Sequence, residues 1–417
     1  MVSKAAIKSK IVCVVGLGYV GMPLVEAFSK HVRVIGYDIN KRKVVRLQKE
    51  YPSLKLTANP SEIKKADVVI ITVPTPVTKS KEPDLGPVIS ASECVGRNLK
   101  NGAIVVLEST VYPGTTEEIV GPILERVSGR KVGTGFKLGY SPERVNPGDP
   151  RHSIDKIVKI VSGMDDETTK TLTTLYGLIT TVYETRDIKT AEAAKVIENV
   201  QRDLNIALMN ELSIIFSKLG LDTKEVLDAA STKWNFIRFS PGLVGGHCIP
   251  VDPYYLVYKA RELGYHPRVI LAGRAVNDSM AKHVAEMAIK GINEAGLVIR
   301  GSNVLILGLT YKENVPDTRE SPVKEMVKEL KEFGCKVYGL DPLLSAKEIE
   351  SFGVRKATDD LKGKIDCAIF AVAHDQFKKY TFDFIKTYMS KNPVLVDVRR
   401  MFDPNDAKKK GFTYYTL

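Results

Sequence analysis

A chain of 417 residues, 44% of them apolar, is long enough to fold as two or three domains with substantial cores. Its formal charge of +12 comes from lysines interleaved with glutamates rather than gathered into one basic stripe with aromatics. That pattern suits solvated helix faces and an enzyme handling several phosphates, and it argues against a nucleic-acid footprint. No apolar run reaches membrane-spanning length, and the basic lead from Met1 to Lys10 lacks the long apolar region of a signal peptide. The five cysteines sit at spacings that fit neither a disulfide framework nor a metal site, so a cytoplasmic protein with no metal and no membrane partner is expected.

The first elements read strand, glycine turn, helix, strand: Ile11 to Val15, then Gly16-Leu17-Gly18-Tyr19-Val20-Gly21, an amphipathic stretch to Lys30, and Val32 to Tyr37 ending at Asp38. The three glycines have separable jobs: a tight turn, close approach to a pyrophosphate, and packing of helix on strand. A carboxylate at Asp38 would accept from adenosine ribose hydroxyls and repel a 2′-phosphate, which favours NAD over NADP, with Lys41 and Arg42 tempering the preference. Strands from Val68 to Val73 and from Ile104 to Leu107 run into Val73-Pro74-Thr75-Pro76 and Ser109-Thr110-Val111-Tyr112-Pro113-Gly114. On a doubly wound sheet these turns border the cofactor.

From Lys189 to Leu219 an uninterrupted helical pattern follows, about 45 Å long at roughly 1.5 Å per residue. Glu192, Lys195 and Asn199 fall on one side of it, a spacing that fits either a functional row or a solvated face. Its apolar positions, among them Leu204, Leu208, Leu212 and Ile215, exceed what one covering domain buries, so a homodimer or higher homo-oligomer is expected. The run Gly245-Gly246-His247-Cys248-Ile249-Pro250-Val251-Asp252 sets a lone thiol between paired glycines and a carboxylate. That is the grouping of a covalent nucleophile, with glycines that admit a substrate, or else a Gly-Pro turn around a small buried cysteine.

An echo of the opening comes next: Asn303 to Leu307, Gly308-Leu309-Thr310, a helix from Val323 to Phe333, Val337 to Asp341, then Cys367 to Val372 and Val394 to Val398. Thr310 replaces the second glycine, so this copy is expected to bind a different nucleotide. The fold class is α/β, with two Rossmann-like doubly wound domains, 1–188 and 299–417, joined by a central helical domain, 189–298.

Together these segments resemble the nucleotide-sugar 6-dehydrogenase family, which includes UDP-glucose dehydrogenase and the UDP-N-acetylhexosamine dehydrogenases. The resemblance spans nearly the whole chain. It rests on the glycine turn, Val73-Pro74-Thr75-Pro76, Ser109-Thr110-Val111, Ser141-Pro142-Glu143-Arg144, Ala191-Glu192-Ala193-Ala194-Lys195 through Asn210-Glu211, the Cys248 motif, and Asp317-Thr318-Arg319-Glu320-Ser321-Pro322. It implies NAD-dependent oxidation of a sugar C6 alcohol to a carboxylate through a thiohemiacetal and thioester on Cys248.

By the same resemblance Lys195 and Asn199 stabilise the oxyanion, Glu143 is the base for thioester hydrolysis, Thr110 holds water and Asp252 moves protons. Arg319 and the 16–21, 73–75 and 109 turns contact NAD. Arg144, Val145, Asn146, Arg238, Gly245, Gly246, Lys312 and Arg399 contact the UDP-sugar. The Glu143-Arg144-Val145-Asn146 and Pro250-Val251-Asp252-Pro253-Tyr254-Tyr255 passages look like the N-acetylhexosamine branch, with UDP-N-acetylmannosamine or UDP-N-acetylglucosamine as substrate. UDP-glucose, a simpler two-electron dehydrogenase of the hydroxyacid type and a non-catalytic nucleotide-binding protein are the alternatives.

Overall fold

A computed structural model describes residues 4–145 and 153–417. It contains two compact units: residues up to Asn199 with Val251–His266, and Val200–Pro250 with Pro267–Leu417.

The first unit is built on an eight-stranded sheet. Its strands are β1 (Ile11–Val15), β2 (Arg33–Tyr37), β3 (Leu56–Thr57), β4 (Val68–Ile71), β5 (Ala103–Leu107), β6 (Phe136–Tyr140), β7 (Val158–Gly163) and β8 (Thr181–Glu184), in the order β3-β2-β1-β4-β5-β6-β7-β8. Every pairing is parallel except β6 with β7. A parallel sheet is covered on both faces, which is why its strands read as unbroken apolar runs. Alternate residues confirm it: Cys13, Val15, Val69, Ile71, Val105 and Leu107 enter one core, while Val12, Val14, Val68, Ile70, Ile104 and Val106 enter the other. In the lead segment Lys4–Lys8 is helical and drops Ile7 into the second of these cores.

The second unit repeats the design with β9 (Asn303–Leu307), β10 (Lys336–Leu340), β11 (Arg355–Lys356), β12 (Ile365–Phe370), β13 (Met389–Asp397) and β14 (Thr413–Thr416). Their order, β11-β10-β9-β12-β13-β14, matches that of the first six strands, and all pairings are parallel. The expected internal echo is therefore a shared topology. In each sheet the order reverses beside the first strand, the position where doubly wound folds bind ligands.

The long helix spans Ile188–Leu219, and the boundary between the units falls within it, at Asn199 and Val200. The central segment 189–298 is thus divided between the two units. Helices alone enclose little core, and the helix Arg268–Glu294 instead buries Met280, Val284, Met287 and Ile292 with the β9, β12 and β13 side chains. Beside that apolar seam lies a buried polar network. Arg274 donates to Asp203 at 2.6 Å, the Asn277 amide donates to the same carboxylate at 2.7 Å, and the Asn210 amide donates to Asn277 at 2.8 Å. Asn210 also exchanges two hydrogen bonds with the backbone of Gly242, at 2.8 and 3.1 Å, and so fixes the start of the loop that leads to Cys248.

Removing one partner of a buried ion pair strands the other charge, so Asp203→Ala is expected to cost about 3–5 kcal/mol in chemical denaturation. Lys224→Ala, which removes an exposed pair with Asp228, should cost less than about 1 kcal/mol.

Candidate active site

The carboxyl ends of the first sheet are tied together by a row of side-chain hydrogen bonds to backbone carbonyls. The Thr72 hydroxyl donates to Gly16 O at 2.6 Å, that of Ser109 to Val73 O at 2.5 Å, and that of Tyr140 to Ser109 O at 3.2 Å. Burial, and then the charges of Glu192, Asp252 and Glu108, hold the Tyr140 phenol well above its ordinary pKa, so it stays a donor. The Tyr255 hydroxyl adds a bond to Pro76 O at 3.0 Å. The glycine turn and the 73–75 and 109–110 turns thereby form one edge, as the sequence reading expects for a cofactor border.

The glycines divide their work. Gly16 has φ +100°, which favours glycine. A Cβ on Gly21 would lie 1.9 Å from Gly16 O, so the close packing of helix Gly21–Ser29 excludes any side chain there. A Cβ on Gly18 would meet no protein atom within 4 Å, so protein packing does not demand that glycine and the space beside it is open to a ligand. Asp38 closes β2 and accepts from Leu17 N–H and Asn40 N–H, each at 2.9 Å, and from the Lys43 ammonium at 2.7 Å. Burial raises its pKa, and these donors together more than offset that, leaving a lowered pKa and an ionised carboxylate. Lys43, rather than Lys41 or Arg42, is the cation that reaches Asp38; it is the third residue of the helix Lys41–Glu50, a position the strand-end motif alone does not single out.

On the long helix, Glu192, Lys195 and Asn199 are all buried, which removes the solvated-face reading. Glu192 accepts from Gly114 N–H at 2.5 Å and from Thr116 N–H and hydroxyl at 2.8 and 2.7 Å, fixing the turn after Thr110. Its role in the structure is therefore to anchor that turn. Asn199 donates to the Asp252 carboxylate at 2.5 Å. Asp252 opens the helix Asp252–Glu262, where a negative charge is favoured by the helix dipole. Glu143 follows β6 and accepts from Val145 N–H, while Arg144 donates to Val158 O and pairs with Glu198 at 2.8 Å. Asn146 lies outside the described residues.

In the second unit, Cys248 is half-buried. The paired glycines before it admit protein: a Cβ on Gly245 would lie 2.7 Å from Pro322 and 2.8 Å from Tyr311, and one on Gly246 2.7 Å from the Tyr311 ring. Their smallness serves the packing of this loop on 311–322. Arg319 grips Asp317 through Nε at 2.9 and 3.1 Å and lies 3.3 Å from His247 Nε2. This sets the arginine expected at the NAD pyrophosphate beside the Cys248 loop.

Lys312 and Arg399 line a cavity of about 150 Å³ together with Leu243, Thr310, Tyr311 and Val372. Arg399 is held there by Glu313 at 3.0 Å. Arg238 sits apart, bonded to Asp228 and Ser231 of its own neighbourhood. The counterpart of Asp38 is Asp341, which accepts from Leu309 N–H at 2.7 Å, Leu343 N–H at 2.9 Å and His374 Nε2 at 3.2 Å. His374 Nδ1 accepts from Asn314 N–H, so Nε2 carries the proton. With Thr310 also bonded there, this carboxylate is taken up by its own turn. No spacing signal in the sequence marks His374, which is brought in by the end of β12.

Family models match three successive stretches: the NAD binding domain of the UDP-glucose/GDP-mannose dehydrogenase family over residues 50–185, its central domain over 189–279 and its UDP binding domain over 305–404. A UDP-N-acetyl-D-glucosamine 6-dehydrogenase from Pseudomonas aeruginosa is 46% identical over 95% of this chain and 98% of its own length. Protein CapL from Staphylococcus aureus is 48% identical over 90% of this chain and 92% of its own. Among solved structures, a UDP-D-ManNAc dehydrogenase from Pyrococcus horikoshii superposes with a TM-score of 0.87 at 28% identity, covering 98% of this chain and 99% of that one. The chain belongs to the UDP-glucose/GDP-mannose dehydrogenase family, with NAD as its cofactor.

Proposed function

We propose that this enzyme oxidises C6 of a UDP-N-acetylhexosamine, UDP-N-acetylglucosamine foremost, to the uronic acid for polysaccharide or glycan synthesis. The choice of sugar is supported by the 46% identity to the Pseudomonas aeruginosa enzyme along almost the full chain. The observation that carries the chemistry is the buried Asn199–Asp252 hydrogen bond, whose carboxylate follows Cys248 by four residues.

Two molecules of NAD bound in turn would supply the oxidant, one accepting a hydride from the alcohol and the second a hydride from the thiohemiacetal. The protein provides the rest. The Cys248 thiolate adds to the aldehyde carbon, and the carbonyl oxygen becomes an oxyanion that the Lys195 ammonium and the Asn199 amide stabilise. After the second oxidation a thioester remains on Cys248. Glu143 takes a proton from water held by Thr110, hydroxide adds to the thioester carbon, and the C–S bond breaks to release the acid and regenerate the thiolate. Asp252, tied to Asn199, exchanges protons with the intermediates.

Lys312 and Arg399 fit a uridine diphosphate, since both line the small cavity of the second unit. Arg144, Val145, Asn146, Arg238, Gly245 and Gly246 belong to the sugar-side contacts in this reading. Leu208 and Ile215 are 50% and 44% exposed on the long helix, which supports a homodimer along that face. Among the described residues no helix is long and apolar enough to cross a membrane, and a working thiol needs reducing surroundings, so a cytoplasmic setting fits.

Assayed against UDP-N-acetylglucosamine, UDP-N-acetylmannosamine, UDP-N-acetylgalactosamine and UDP-glucose, the enzyme is expected to show its highest kcat/KM with the first and to form two NADH per uronic acid, with the product identified by mass. A preference for UDP-glucose would sink the N-acetyl reading, and a one-to-one ratio the thioester route. Cys248→Ser should abolish acid formation. Asp38→Asn should raise the KM for NAD about tenfold, equivalent to about 1.4 kcal/mol of lost binding, and leave the sugar KM nearly unchanged in steady-state kinetics.

A further inference from the structure

The run Val158-Lys159-Ile160-Val161 of β7 is apolar except for one lysine, and that lysine is completely buried. Its ammonium donates to Glu108 at 2.6 Å, to Pro142 O at 2.9 Å and to Ser141 O at 3.4 Å, and it lies 5.5 Å from the centre of the Tyr176 ring. Glu108, equally buried, accepts on its other oxygen from the Tyr176 hydroxyl at 2.5 Å. A lysine has three protons to give, and here all three have takers. Glu108 is the residue immediately after β5 and two before Thr110; Pro142 is the residue before Glu143.

The direction of β7 explains how a lysine comes to be there. In a parallel sheet every strand brings its last residues to the ligand edge, but β7 runs antiparallel to β6 and brings its first. Continuing the register past Tyr140↔Ser162 sets Lys159 level with residue 143. The Arg144 bond to Val158 O fastens the same turn from the adjacent residue.

Stability does not account for this cluster. Taking a lysine and a glutamate out of water costs several kcal/mol per ion, and apolar replacements of similar volume are often neutral or stabilising. What a fully bonded buried ion supplies is a fixed position for the groups it touches. We propose that Lys159, braced by Glu108 and Tyr176, is a positioning residue for thioester hydrolysis: it locks the Ser141–Pro142 carbonyls to the end of β5 and so sets Glu143 relative to Thr110. The inference rests on the reading of Glu143 as the base.

The test compares the full-length enzyme with Lys159→Met, the apolar triple variant Glu108→Leu/Lys159→Met/Tyr176→Phe, and Glu143→Gln. Rapid-quench NADH counts and intact mass of acid-quenched protein separate oxidation from hydrolysis. Both cluster variants are expected to release a burst of two NADH per site, to hold the sugar as a Cys248 adduct, and to turn over roughly 100-fold more slowly thereafter, with the NAD KM within about twofold. The triple variant is expected to melt cooperatively, close to the parent temperature.

A triple variant that turns over at the parent rate, that slows both oxidations equally without an adduct, or that fails to fold would overturn the proposal, since each outcome makes the cluster a packing element only. Glu143→Gln separates the two claims. If it stalls with an adduct while the triple variant does not, positioning alone falls. If it turns over normally, the base assignment falls and the proposal with it.

Discussion

The row of side-chain hydrogen bonds across the carboxyl ends of the first sheet is the constraint on which the rest depends. Strand ends in a doubly wound sheet lead into loops, and loops are the most variable and mobile parts of a fold. Here each loop is held by its neighbour: Thr72 bonds the glycine turn, Ser109 bonds the 73–76 turn, and Tyr140 bonds the 109–110 turn. Each bond runs from a side chain on one strand end to a backbone carbonyl on the next, so the turns share one frame. A net contribution of about 1 kcal/mol per bond is modest for stability, but the directional geometry fixes several loops at once.

The second unit shows what the same topology does with different residues at the same edge. Its strand order matches that of the first six strands of the other sheet, yet Thr310 stands where a second glycine would be and bonds toward Asp341 and Lys312 O. The carboxylate that would meet a ribose is bonded to three backbone N–H groups and to His374. Cationic side chains, Lys312 and Arg399, instead line a small cavity, chemistry suited to the diphosphate proposed to bind there. Fold and ligand are separable, and a few side chains decide the second.

Much of this was legible in the sequence because the signals were periodic or conformational. β1 and β9 fall where their apolar runs predict, the long helix begins one residue early, and Gly16 and Gly21 of the GxGxxG run serve the tight turn and the helix packing expected of them. The three-residue logic of strand, turn and closing acid also found Asp38 and Asp341. What the sequence did not disclose was long-range. The antiparallel β7, the short edge strands β3 and β11, and the reach of Lys43 to Asp38 all depend on which elements meet, and no local pattern encodes that. The Gly245-Gly246 pair shows a subtler gap: the paired glycines imply a close approach, and only the structure reveals that Tyr311 and Pro322 pack against them.

The buried charges extend that lesson. Glu192 and Glu108 carry carboxyls that burial pushes up to about 7, and Asp203 is raised for the same reason despite Arg274. A polar residue on a helix reads, one-dimensionally, as solvated, and Glu192 and Asp203 invert that reading because donors from distant segments converge on them. None of the three is assigned a step in the chemistry. Each instead fastens a backbone segment that leads to a residue for which such a step is proposed: Glu192 the turn after Thr110, Glu108 through Lys159 the turn before Glu143, and Asp203 through Asn277 and Asn210 the loop before Cys248. Since apolar side chains would fill the same volume at lower desolvation cost, selection for stability alone would not retain them. A reaction in two oxidations and a hydrolysis requires its oxyanion, base and thiol contacts to hold position throughout, and directional bonds from buried ions meet that requirement where dispersion does not.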